Sequence, residues 1–522
     1  MKLSCIAMAM AATCGALASV SSFAITANNY TNTGEFTGDT LNIRISGATA
    51  QDAGILGSAL SLCQAGTVHR YAISNNFVFY CTPDGGTNPG QIAIPARSAS
   101  SGGPITKLAI YKYSVGGSAF GVSPLNSTVA ADGSTGGNGA QLPFLNLNSI
   151  NSNCTGTFAV TTTLTFGPGT NGSYVNVSCG NSSSALTSAA VTYVGVSDME
   201  PAFFSNATSN LTTTSATALI FAPVVTKNVY DRLQQLQGLS LSTTPACGAT
   251  LDSEGCMPSL SSSQLVTLYT QPGQAWSSLG VTGLTADNVY IARRVDSSGT
   301  QKTFEALIAG SPNGNAAAKS CSIGTNAFAL PDSAGFTPPL NVGLTTGDNE
   351  SVCAGLALPT TFSGPTVFSG SGGSNLRNCL TNHQAGGRGA IGILTTEDKP
   401  NGSWRFVKVD GVTPNQAQTA AGRYRFYTET AINTRTAGAF NTAGAEGYSA
   451  FVSRFITDFG NATIVKQING ADQTFGAAGL MALLSRQASG TAPDFTGAAT
   501  IVPWTKVGGA GVDNCQRPSL FN

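Results

Sequence analysis

Charge is scarce in this 522-residue sequence: 25 Lys and Arg face 25 Asp and Glu, a formal net charge of zero with only 10% of residues charged. No basic block stands out, so the electrostatic footprint of a nucleic-acid-binding protein is missing. Histidine is scarcer still. Only His69 and His383 occur, and neither has a partner at metal-ligand spacing. His69 in GTVHRYAI reads as a structural residue and His383 in LTNHQAGG as a loop residue. GxSxG, HExxH and the P-loop are absent, and no GxGxxG run leads from a strand-like segment into a helix-like one. These absences argue against an enzyme and against a bound cofactor or metal. No CxxC pair occurs either, and beyond the first residues no apolar run is long enough to span a bilayer.

What the chain does have begins with MKLSCIAMAMAATCGALASVSSFA, a lysine followed by a short apolar core and the small-x-small sequence Ser22-Phe23-Ala24. It reads as a secretory signal peptide, residues 1–24, and places the mature protein in the periplasm or outside the cell. Of the 12 cysteines two lie in this leader, leaving ten. An even number of scattered cysteines in an exported chain predicts disulfides. Near neighbours suggest Cys63–Cys81, Cys154–Cys179 and Cys247–Cys256, with Cys321–Cys353 and Cys379–Cys515 remaining. Polarity comes from Ser, Thr, Asn and 62 glycines, the composition of a loop-rich, β-rich secreted protein.

Three segments share one pattern, a strand running into a small-residue turn and then a helix. LNIRIS (41–46) leads into GATAQDAGILGSALSLC, where Ile55, Leu56, Ala59, Leu60 and Leu62 form an apolar helix face. KLAIYKYS leads into VGGSAFGVSPL, and Val289, Tyr290 and Ile291 lead into RRVDSSGTQKTF. A further strand, VTYVGVSD, ends in Asp198. Such units predict a parallel α/β sheet with ligand at the carboxyl ends of its strands. In the third unit Phe304, Leu307 and Ile308 recur at helical spacing, so Ser298, Gly299 and Thr300 fall at a helix N-terminus. Unpaired N–H groups and the helix dipole make that end an anion cradle. Arg294 adds a planar cation able to hold two oxygens at once. The plainer alternative is an ordinary N-cap at Ser298 or Thr300 and a solvated Arg294. Residues 123–190 read as a β-rich insertion, with FAVTTTLTF and SYVNVS as strands. AFVSRFITDFG (450–460) reads as an amphipathic helix with Phe451, Phe455 and Phe459 on one face.

In this order the motifs resemble those of the type II periplasmic binding proteins, and among them the phosphate-binding proteins of ABC transporters. RRVDSSGTQKTFEALI is similar to that family's arginine and Ser-Gly-Thr anion loop, GVSDMEP to its aspartate turn and SVGGSAFGV to its Gly-Ser loop. LSSSQLVTLYTQPGQAW resembles the helix and tryptophan turn before the arginine strand. GAIGIL and GRYRFYTETAI resemble the strands that follow. The resemblance implies an α/β, two-lobe type II periplasmic-binding-protein fold, with the disulfide-stapled insertions added to it. It implies that Thr49, Ser118 and Asp198 face an oxyanion, most simply phosphate, from the first lobe, and that Arg294, Ser298, Gly299 and Thr300 hold it from the second. Asp198 would accept the proton of hydrogen phosphate and repel fully ionised sulfate. Asp296 would orient Arg294, meet the edge of the ligand or serve as a turn residue.

The first loop departs from the family's Thr-aromatic pattern, reading Gly47-Ala48-Thr49-Ala50-Gln51-Asp52, so either Thr49 or Gln51 takes the contact position. An Asp52 pointing into the site would oppose an anion. The expected lobes combine residues 41–220 with 432–522, and separately 221–431, joined by crossing segments near 220 and 425. The partners implied are a small oxyanion and an ABC transporter permease. The rival reading is a secreted structural or adhesive protein that keeps the fold without the ligand. It differs in not requiring Ser118, Asp198 and Arg294 to converge.

Overall fold

In the strand Asn76–Cys81, Phe77, Phe79 and Cys81 enter one apolar core while Val78 and Tyr80 enter another, the two-residue alternation of a strand covered on both faces. The adjacent strand Lys107–Tyr113 divides the same way, Leu108 and Ile110 to one side, Ala109, Tyr111 and Tyr113 to the other. The computed structural model describes residues 39–73, 76–84, 105–126, 141–153, 159–165, 171–179, 186–204, 210–239, 247, 251–270, 274–295, 297–308, 367–370, 372–435, 446–470, 474–506 and 512–521. The leader, Asp296 and residues 309–366 lie outside that set.

A 15-stranded mixed sheet runs through the described residues. In its first half Thr40–Gly47 lies between Lys107–Tyr113 and Val194–Ser197, parallel to both. The carboxyl ends of these three strands therefore gather the turns that begin at Gly47, Ser114 and Asp198. In the second half Tyr290–Arg294 lies between Val367–Gly370 and Ala390–Thr395, again parallel to both. Two long strands join the halves. Leu211–Thr226 and Tyr427–Arg435 pair antiparallel; the former also pairs with Ala390–Thr395 and the latter with Val194–Ser197. The architecture is α/β, as expected, but the sheet is mixed rather than parallel throughout, because these two long strands pair antiparallel.

Two principal cores flank the crossing strands. One packs Ile55, Ala59 and Leu60 of the helix Asp52–Leu62 against the first sheet and against Phe451, Phe455 and Phe459. These three phenylalanines form a ladder with ring centroids 5.8 and 5.6 Å apart. The other core joins Phe221, Trp276, Ile291, Phe304 and Leu380, and also takes in Phe475, Leu480 and Val502. The β-rich insertion covers the outer face of the first sheet: Gln141–Leu145 pairs with Thr187–Val191, and Phe144 lies edge-on to Tyr111 and Tyr113. Its strand Asn171–Ser178 extends the main sheet beside Val68–Ile73.

Disulfides join Cys63 to Cys81 and Cys247 to Cys256, as expected from their proximity in sequence. Cys179, Cys379 and Cys515 are also bonded. A Cys379–Cys515 bridge is not found among the described residues: Cys379 packs in the second core, whereas Cys515 packs against the separate pair Met199 and Ala306. Cys154, Cys321 and Cys353 lie outside the described residues. His383 is not in a loop. It is fully buried in the helix Gly373–Ala385 against the rings of Tyr290 and Phe368, and burial beside Arg388 pushes its imidazole down to about 3. His69 is buried in a strand, as its sequence context implies. Among the described residues no helix is long and apolar enough to cross a membrane.

Candidate functional site

The first strand ends at Gly47, whose φ of +119° is open only to glycine and turns the chain into the short 3-10 turn Thr49–Gln51 and the helix Asp52–Leu62. Buried Lys112 fixes that turn. Its ammonium donates to Gly47 O at 3.0 Å, Ala48 O at 3.2 Å and Ser114 Oγ at 2.7 Å, and pairs with Asp52 at 3.2 Å. Ser114 donates to both Asp52 oxygens. Burial still raises the Asp52 carboxyl, against the pull of Lys112 and Ser114. Asp52 is thus paired at the base of the loop.

Gln51, not Thr49, meets Asp198: its Nε2 donates to Asp198 Oδ1 at 3.0 Å. Ser118 holds the other oxygen, donating from Oγ to Oδ2 at 3.0 Å and accepting the Asp198 backbone N–H at 3.0 Å. Asn433 on the crossing strand braces both turns by donating to Gly121 O at 3.0 Å and Ser197 Oγ at 3.3 Å. Asp198 is 3% exposed. Burial raises its carboxyl, while Gln51, Ser118 and the charges of Arg294 and Lys112 act to lower it.

From the other half, Tyr290–Arg294 delivers Arg294 at its carboxyl end, with Nε donating to Gly370 O at 3.2 Å. Ser298 adopts the extended N-cap backbone of the helix Gly299–Leu307, as the spacing predicts, but its side chain makes no capping bond. Gly299 is pressed against the first half: a Cβ there would lie 2.3 Å from Ser118 Oγ and 2.6 Å from Asp198 Oδ2. The neighbouring Ser297 O accepts the Ala119 N–H at 3.0 Å. The two halves are therefore in contact at Ser118, Asp198 and Gly299, with no space between these three.

Space opens beside that contact, in a cavity of about 320 Å³ lined by Thr49, Arg294 and Thr300 and by Ser374, Arg377 and Glu397. All seven residues expected at the site are thus gathered at one junction. Thr49, Arg294 and Thr300 face the cavity; Ser118, Asp198 and Gly299 form its closed neighbour, with Ser298 between the two as the helix cap. The helix Gly373–Ala385 also begins at the cavity. Arg377 is ion-paired with Asp398. Burial, with the charges of Asp52 and Asp198, pushes the Glu397 carboxyl up to about 8, against the Thr395 hydroxyl and Arg377. Near neutral pH the rim carboxylates are accordingly either protonated or paired.

Arg377, Glu397 and Asp398 arrive from a distant segment that carries no motif. Lys112 was detectable in principle, as the one charge inside the apolar run LAIYKY, where an unpaired ammonium is costly. One further cluster has metal-ligand composition. Ligand atoms of Glu200, Asp513 and Cys515 lie within 4.8 Å of one another, but Cys515 is in a disulfide and Glu200 accepts two hydrogen bonds from Asn514.

No family model and no curated protein matches the sequence. Solved structures align with this one by fold alone. A Clostridium perfringens protein described as a phosphate ABC transporter substrate-binding protein, with bound phosphate, aligns over 83% of this chain and 99% of its own, at 11% identity and a TM-score of 0.38. An ABC-type phosphate transport receptor from Vibrio cholerae aligns over 52% of this chain and 79% of its own, at 14% identity and 0.29. A phosphate-binding protein from Stenotrophomonas maltophilia aligns over 56% and 74%, at 12% identity and 0.29.

Proposed function

We propose that this chain is an exported solute-binding protein that takes a small oxyanion, phosphate first, at the junction of its two halves. One observation carries the reading: Arg294, Thr49 and Thr300, from three separate elements, line one cavity at the start of a helix. A guanidinium fork, two hydroxyls and the N–H groups of a helix start are the donors that a tetrahedral oxyanion requires. Ser118 and Asp198 adjoin that cavity, and the charge of Arg294 is felt at the Asp198 carboxyl. Such convergence is what a binder requires and a purely adhesive surface protein does not.

In this reading the present contact is the closed arrangement. For an anion to reach Ser118 and Asp198, Gly299 draws back from them by a hinge motion about Leu211–Thr226 and Tyr427–Arg435. On closing again, water is excluded and each charge-assisted hydrogen bond strengthens. Asp198, with Gln51 and Ser118 on its two oxygens, accepts the proton of hydrogen phosphate and disfavours sulfate, which has none. An ABC transporter permease is the natural recipient of the bound ligand.

The test is equilibrium dialysis of labelled phosphate against excess sulfate. Wild type is expected to retain phosphate, and Asp198→Asn to lose preference between the two anions by about tenfold, the effect of one charge-assisted hydrogen bond of about 1.5 kcal/mol. Unchanged selectivity in Asp198→Asn would remove Asp198 from the site.

A further inference from the structure

A second cavity, of about 290 Å³, lies away from the junction, where the C-terminal segment returns over the second half. Four cations line it: Arg423, Arg425, Lys506 and Arg517. In a chain with only 25 Lys and Arg, that is a marked concentration. The only carboxylate in the lining, Asp410, is already committed to the start of the helix Ser262–Thr270. There it accepts the Ser262 backbone N–H at 2.8 Å and also bonds the Ser262 hydroxyl. Lys506 is buried, with its ammonium donating to Tyr427 O at 2.5 Å and 4.3 Å from the centre of the Tyr427 ring. Arg423, Arg425 and Arg517 are exposed and make no ion pair or hydrogen bond from their guanidinium groups among the described residues.

Fold geometry sets this array. Along Arg423-Tyr424-Arg425-Phe426 burial alternates: Tyr424 and Phe426 are 1% and 3% exposed while both arginines face outward. The Tyr424 hydroxyl is tied to Phe221 O at 2.6 Å. Arg517 is held opposite by the pairing of Ser519–Leu520 with Trp504–Thr505 and by the disulfide at Cys515. Half-buried Leu307, Ile308 and Val412 complete the wall. Like charges held together by rigid backbone repel one another. That repulsion is relieved by an anion of matching charge, and guanidinium forks match phosphate oxygens in particular.

The geometry points to a second anion site here, for an organic phosphate carrying at least two negative charges: its phosphate groups sit among Arg423, Arg425 and Arg517, and its organic body lies on Leu307, Ile308 and Val412. It is independent of the junction site, sharing no lining residue with it.

Calorimetric titration of the oxidised mature protein at low salt, with pyrophosphate and with adenosine diphosphate as probes, tests the assignment. Both are expected to bind wild type and Arg294→Ala equally. Binding should weaken at least about tenfold in Arg425→Ala/Arg517→Ala, the loss of two charge-assisted contacts, and adenosine diphosphate should bind several-fold more tightly than pyrophosphate. Arg517→Gln alone, at an exposed position of the tail, should give a smaller loss with an unchanged thermal midpoint, which separates lost binding from lost folding. Absence of pyrophosphate binding, or binding abolished by Arg294→Ala and untouched by the arginine pair, would overturn the second site. Equal affinity for the two probes would overturn the organic part of its ligand.

Discussion

Ser118 and Asp198 are joined twice, through Ser118 Oγ to Asp198 Oδ2 at 3.0 Å and through the Asp198 backbone N–H to the same Oγ at 3.0 Å, and Gly299 from the other half closes on both. The serine hydroxyl thus both gives and receives within the aspartate turn. Any side chain at residue 299 would collide with both partners.

Gly299→Ala is therefore expected to hold the halves apart. Its Cβ would lie within 2.6 Å of both partners, and forcing a methyl group into such packing costs about 1–3 kcal/mol. Small-angle scattering should show a larger radius of gyration than wild type, and phosphate affinity should fall by about tenfold or more. A variant with wild-type compactness and affinity would show that this contact is not part of closure.

Glu397 makes the cavity sensitive to pH. Its folded-state carboxyl titrates at about 8, above its ordinary 4.5, so the folded protein keeps a proton that the unfolded chain releases. Its contribution to stability is then greatest below about pH 4.5 and declines as pH rises towards 8, beyond which it is constant. Because Glu397 is only partly buried, the decline should amount to roughly 1 kcal/mol after allowance for solvent screening. Thermal midpoints measured from pH 5 to pH 9 should show the decline in wild type and not in Glu397→Gln. Oxyanion affinity should also weaken above pH 8 in wild type alone, as an ionised Glu397 comes to oppose the ligand.

Lys112 is expected to be a positioning residue for the Thr49 turn. Lys112→Met leaves half-exposed Asp52 without its cation and two carbonyls without their donor, a loss of about 1–3 kcal/mol, chiefly from the unsatisfied carbonyls. Lys112→Met/Asp52→Asn should recover part of the stability in denaturant titration while phosphate affinity stays low, since the turn still lacks its anchor at Gly47 and Ala48. Full recovery of affinity in the double variant would show that only the charge of Asp52 mattered.

The helix start at Ser298–Thr300 was legible because its signals are local. Tyr290-Ile291 reads as strand, Phe304-Leu307-Ile308 as helix, and the change of period between them locates Ser298–Thr300 without further information. The phenylalanines 451, 455 and 459 were legible for the same reason. Gln51 against Asp198 was not: both loop residues were equally placed by sequence, and only the pairing of Thr40–Gly47 with Val194–Ser197 decides which one turns inward. His383 looked like a loop residue because two glycines follow it closely, yet those glycines end its helix, at Gly386 and Gly387. Arg377, Glu397 and Asp398 reach the cavity through sheet topology alone, which no local pattern encodes.

The most direct measurement is calorimetric titration of phosphate into the mature, oxidised protein after reversible unfolding to strip bound ligand, with wild type and Arg294→Ala side by side near neutral pH. The account predicts saturable one-site binding at micromolar or tighter affinity in wild type, weakened by about a hundredfold or more when the guanidinium is removed, as expected for a charged hydrogen-bonding group worth about 3 kcal/mol. Equal phosphate affinity in the two proteins, or no binding in wild type, would contradict it.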